Sequence, residues 1–117
     1  MLLGFEYVGV TSSNLDQSLE FYCGLLGLKK VLVNPTSDGG RIAFLDFCGV
    51  MLEIIGPPAP VQTPAREAPL SEAGIRHITF RVDDVEMEFG RLQAAGVVFT
   101  STARPKGPKW RRIRTLH

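Results

Sequence analysis

Polar and apolar residues alternate from Phe5 to Thr11, and the segment is rich in β-branched and aromatic types. That pattern predicts a strand. The spacing then becomes helical: Leu15, Leu19, Tyr22 and Leu26 share one face, with Asp16, Gln17 and Glu20 on the other. Ser13 or Asn14 supplies a side-chain oxygen to cap the helix start, and Gly27 supplies a stop because it tolerates positive φ. A strand is predicted over Leu28–Val33, a loop over the Asn-Pro-Thr-Ser-Asp-Gly-Gly run at 34–40, and two strands over Arg41–Phe47 and Val50–Ile55, turning at Cys48-Gly49.

Residues 57–73 hold five of the eight prolines and no periodicity, so they read as a linker. The pattern then restarts. Ile75–Val82 is predicted as a strand. Asp83 or Asp84 caps a helix with Val85, Phe89 and Leu92 inside, and Gly96 ends it. Val97–Thr100 and Trp110–Leu116 are predicted strands around a Pro/Gly loop. An offset of 70 lays Tyr7 on His77, Val10 on Phe80, Asn14 on Asp84, Leu15 on Val85 and Tyr22 on Leu92. Strand, cap and helix face agree at one offset, which points to an internal duplication. The expected fold is α+β: two βαβββ modules (1–56 and 74–117) forming a curved mixed sheet or half-barrel in one domain. The partner of the Val50–Ile55 strand falls at roughly 120–125 on this repeat, so the second module lacks its last strand in these 117 residues.

Composition narrows the class. At 44% hydrophobic and 21% charged, the chain is ordinary for a soluble globular protein. No apolar run approaches the roughly 20 residues that span a bilayer, and the N-terminus has no signal-peptide pattern. Two cysteines without cluster spacing suggest free thiols in a reducing, cytoplasmic setting. Charge is uneven: residues 1–103 carry a net −5, and the stretch from Arg104 to Arg114 carries +6. That basic stretch has two readings. One is a site for an anionic substrate group, with Arg104 as a contact; the other is a solvated rim whose acidic partners lie past His117. Nucleic-acid binding is not expected, because no basic stripe lies elsewhere and no reading motif is present.

Two residues stand out within apolar strands. Glu53 sits in Val-Met-Leu-Glu-Ile-Ile, where a carboxylate is costly unless paired, hydrogen-bonded or bound to a cation. His77 sits in Ile75–Val82. Imidazole and carboxylate together suit a transition metal, although each residue type also occurs in strands on a solvated or packed face. Phe44, Phe47 and Trp110 are candidates to line a cavity, with core packing as the alternative.

These segments resemble the vicinal oxygen chelate superfamily, the glyoxalase/bleomycin-resistance/extradiol-dioxygenase group. The resemblance rests on Asn14-Leu15-Asp16-Gln17-Ser18-Leu19-Glu20-Phe21-Tyr22 with Leu25-Leu26-Gly27-Leu28, on Leu52-Glu53-Ile54, and on His77-Ile78-Thr79-Phe80-Arg81-Val82-Asp83-Asp84. It implies the paired βαβββ fold. It implies that Glu53 and His77 are ligands of a divalent metal (Zn, Ni, Mn, Co or Fe), Glu53 also serving as a catalytic base. Tyr7 stands where metal-binding members have His, Glu or Gln, and tyrosine, with a pKa near 10, is a poor ligand for these metals. Two functions follow from the resemblance. One is a metal-dependent lyase or isomerase of the lactoylglutathione-lyase type, acting through an enediolate or enolate. The other is a metal-free protein that binds an antibiotic or similar small molecule, with Tyr7 stacking on it. A dioxygenase is disfavoured, since one module carries Tyr7 and the other is incomplete. The resemblance also implies a homodimer.

Overall fold

A computed structural model describes residues 1–61 and 69–99. They fall into two compact units. In the first, β1 (Tyr7–Thr11) leads into α1 (Leu15–Leu19), followed by β2 (Lys29–Pro35), β3 (Arg41–Phe47) and β4 (Val50–Gly56). The strands form one mixed sheet in the order β1-β4-β3-β2. β1 runs parallel to β4, and the other neighbours are antiparallel. The helix therefore serves as the crossover that a parallel pair requires. Cys48, at φ 52, and Gly49, at φ 90, turn β3 into β4. Two consecutive left-handed residues match the right-handed twist of a tight hairpin.

Alternation sorts the strands into two faces. Ala43, Leu45, Leu52 and Ile54 point to the helix side and are buried with Leu15, Phe21, Tyr22 and Leu28. Gly56 permits this packing: a Cβ there would stand 2.9 Å from Leu15 Cβ. Where β1 meets α1, the buried Ser12 and Ser18 hydroxyls bond to each other at 2.6 Å, and Ser12 Oγ accepts the Asn14 N–H. Ser12 N–H donates to the Ile55 carbonyl, tying the joint to β4.

The predicted helix is present, but it is not α-helical throughout. Glu20–Leu25 winds as a π-helix. Gly27, at φ +80, closes it, and the Leu28 N–H reaches the Tyr22 carbonyl.

In the second unit, α2 (Val85–Ala94) starts as α1 does. Asn14 Oδ1 accepts the Gln17 N–H, and Asp84 Oδ1 accepts the Met87 N–H, each from an extended backbone. The offset of 70 therefore holds for cap, capped amide and first helical residue. At the helix end the offset is 69, because Gly96 answers Gly27 and Val97 answers Leu28. The Val97 N–H bonds the Leu92 carbonyl five residues back, whereas Leu28 reaches six back. The π-helical segment is thus one extra residue in the first copy, accommodated as a wider turn.

Strand Ile75–Val82 does not appear as expected: these residues form no ladder with other described residues. A strand is defined by its neighbours, and the expected neighbours fall largely on Thr100 and beyond, outside the described residues. Phe99 makes a single bridge, and its ring meets Phe89 edge-on with centroids 4.7 Å apart.

Candidate functional site

The sheet face away from α1 carries three of the candidate residues. Register sets rows across it. Gly9 on β1, Glu53 on β4 and Phe44 on β3 stand side by side, and Leu32 on β2 completes the row. Tyr7, Met51 and Asp46 form the next row. Three of the residues singled out in the sequence, Tyr7, Phe44 and Glu53, are thereby brought onto one open surface. Phe47 is not among them: three positions from Phe44, it alternates to the helix side.

Tyr7 and Phe44 meet edge to face, with ring centroids 5.3 Å apart at 86°. Neighbouring strands are about 4.8 Å apart, so β1 and β3 lie about 9.6 Å apart across β4. The two side chains therefore lean toward each other over β4, at the level between Met51 and Glu53. Such a pair adds about 0.5–1.5 kcal/mol beyond its buried area. Tyr7 nevertheless stays 48% exposed, so a ring edge and a phenol remain available.

Glu53 is half-buried, and none of the described residues donates a hydrogen bond to it. An ionised carboxylate only accepts, with about four lone-pair sites, so a donor or cation placed on this face finds an unfilled acceptor. The carboxylate turns toward β1: Oε1 lies 2.7 Å from where a Cβ on Gly9 would stand. The sequence reading missed Gly9. Its place two residues after Tyr7 was visible, but the parallel β1–β4 register that sets it against Glu53 was not.

His77 is exposed and belongs to the second unit, eight residues ahead of α2. Arg104 and Trp110 are outside the described residues. No group of three His, Cys, Asp or Glu side chains that could hold a metal gathers among the described residues. Structural and catalytic transition-metal sites draw on at least three protein ligands. The first unit offers Glu53 beside Tyr7, so the described residues do not by themselves fit a metal centre.

A polar cleft of about 280 Å³ opens at the start of α1, lined by Ser12, Asn14, Asp16, Gly40, Arg41 and Pro57 among others. Arg41 bonds Asp16 there at 3.0 Å. Both ends of that pair are solvent-exposed, so it is worth about 0–1 kcal/mol, and its charges offset each other. The β2–β3 loop beside it is held by Asp38, which accepts from Thr36 Oγ1 and from the Gly40 N–H. Those two bonds hold the Asp38 carboxyl below its usual range.

The architecture is similar to that of several solved proteins. SMU.1112c is 26% identical at a TM-score of 0.74, the match covering 91% of this chain and 84% of that one. FosX, a fosfomycin resistance protein from Listeria monocytogenes complexed as its E126Q mutant with Mn(II) and 1S,2S-dihydroxypropylphosphonic acid, is 17% identical at 0.69, over 93% and 81%. TnmS3, an antibiotic binding protein from Streptomyces sp. CB03234, is 22% identical at 0.61, also over 93% and 81%. No curated protein is significantly similar in sequence. The family model of the Glyoxalase/Bleomycin resistance protein/Dioxygenase superfamily matches residues 4–114, and the chain belongs to that superfamily.

Proposed function

We propose that this chain is a small-molecule-binding protein whose ligand rests on the open face of the first sheet. The ligand is a flat ring system carrying a positive charge or N–H donors. Its ring packs beside Tyr7 and Phe44, and its charged group meets Glu53. The observation that carries this reading is the Glu53 carboxylate: half-buried, without a hydrogen-bond donor among the described residues, and next to an edge-to-face aromatic pair. A cation or donor against such a carboxylate makes a charge-assisted bond, worth roughly 1.5–3 kcal/mol. TnmS3 binds an antibiotic on a similar fold.

A second reading is a metal-dependent lyase or isomerase with Glu53 and His77 as ligands. It is favoured by a carboxylate in the last strand of the first copy and an imidazole in the segment that opens the second, and by the Mn(II) held by FosX.

Calorimetric titration of chelator-treated protein with a panel of flat aromatic cations, proflavine among them, separates the two. The binding reading expects one-site binding without metal, weakened roughly tenfold or more in Glu53→Gln. Stoichiometric metal in protein purified without chelator, with ligand binding only after metal is restored, would establish the second reading instead.

A further inference from the structure

Glycine occurs in strands for two reasons: a φ that other residues avoid, or a close approach that a Cβ would block. Gly9 is not among the glycines with positive φ, so the first reason does not apply. The second does. An added Cβ would stand 2.7 Å from Glu53 Oε1 and 3.7 Å from Glu53 Cδ, and among the described residues the Glu53 carboxyl is all it would meet within 4 Å. Among the described residues, the Glu53 carboxylate alone fills the space that Gly9 leaves.

That space matters because of what lies on the other side. Tyr7 and Phe44 close over β4 beside Glu53. With its carboxylate laid over β1, Glu53 leaves the rings in contact and keeps its oxygens at their flank. Displaced from Gly9, the carboxylate has to swing outward or back toward the rings.

We infer that Gly9 is a positioning residue: its missing side chain fixes where the Glu53 carboxylate stands relative to the Tyr7–Phe44 pair, and so sets which ligands the open face accepts. A ligand must present its charge toward β1 while its ring lies over β4. Any side chain at position 9 shortens the distance a ligand has between ring and charge. The inference rests on the binding reading for its consequence, but not for its geometry.

The test is Gly9→Ala, because the atom it displaces is the far end of a flexible side chain and the strand itself tolerates alanine. In ligand-free protein labelled at glutamate Cδ, the Glu53 carboxyl carbon signal should move, while the thermal midpoint holds or rises. Glu53→Asp added to Gly9→Ala shortens the side chain and should restore the Tyr7 and Phe44 ring signals toward those of the parent. Proflavine affinity should fall roughly tenfold in Gly9→Ala, as expected for Glu53→Gln. An unmoved Glu53 signal in Gly9→Ala overturns the positioning role whether or not any ligand binds. A moved signal with unchanged proflavine affinity overturns its role in ligand choice. If the parent protein binds no aromatic cation while the Glu53 signal still moves, the binding reading fails and the positioning role stands.

Discussion

At the scale of single residues, the chemistry of this chain depends on which face each side chain takes. Tyr7, Phe44 and Glu53 were recognisable from residue type and strand pattern, because a carboxylate or phenol in an apolar strand is conspicuous. Phe47, a candidate for cavity lining or core packing, takes the helix side, as its odd spacing from Phe44 requires. Gly9 carried no chemical signal, since its importance lies in what it leaves empty. Asp38 gives a direct electrostatic test. Its carboxyl is held below the ordinary range first by the Thr36 hydroxyl and then by the Gly40 N–H, so its ionised form favours the folded state. That contribution is complete above the unfolded value near 3.8 and is lost as pH falls through the lower folded value. Urea unfolding of Asp38→Asn against the parent should show a deficit at neutral pH that narrows below about pH 4. A deficit independent of pH would mean that the loop needs the side chain's shape rather than its charge.

At the scale of elements, the two helices record a single difference between the copies. They share cap geometry at an offset of 70 and end at an offset of 69, the first having wound its surplus residue into a π-helical turn. Apolar spacing predicted both helices and their caps, because caps and inner faces are local properties. It did not reveal the π turn, since one surplus residue inside a helix leaves both caps and the stop glycine in place. Strand Ile75–Val82 shows no ladder among the described residues, because only pairing makes a strand and its expected neighbours lie outside them. Deleting Gly24 should convert the first helix to the α-helical length of the second and preserve cooperative unfolding. Deleting Gly90 from α2 turns every later residue by about 100° and moves the buried Leu92 off its face. Thermal melts should show the Gly24 deletion as the milder of the two by roughly 1–3 kcal/mol. The reverse order would mean that the π turn is required for the packing of Phe21 and Tyr22.

At the scale of the whole molecule, the duplication was legible from sequence, and the fold class followed from it. Superfamily membership followed from the same segments. What sequence could not supply was the sheet register. The pairing of β1 with β4 in parallel brings residues 46 positions apart, Tyr7 and Glu53, onto one surface, and no local signal encodes that pairing. The proposed ligand surface is the open face, distinct from the polar cleft at the start of α1. Amide chemical-shift mapping during a proflavine titration of chelator-treated protein tests this most directly. The predicted perturbations centre on Tyr7, Gly9, Phe44 and Glu53 and saturate together. Perturbations centred instead on Asn14, Gly40 and Arg41, or none without added metal, would contradict it.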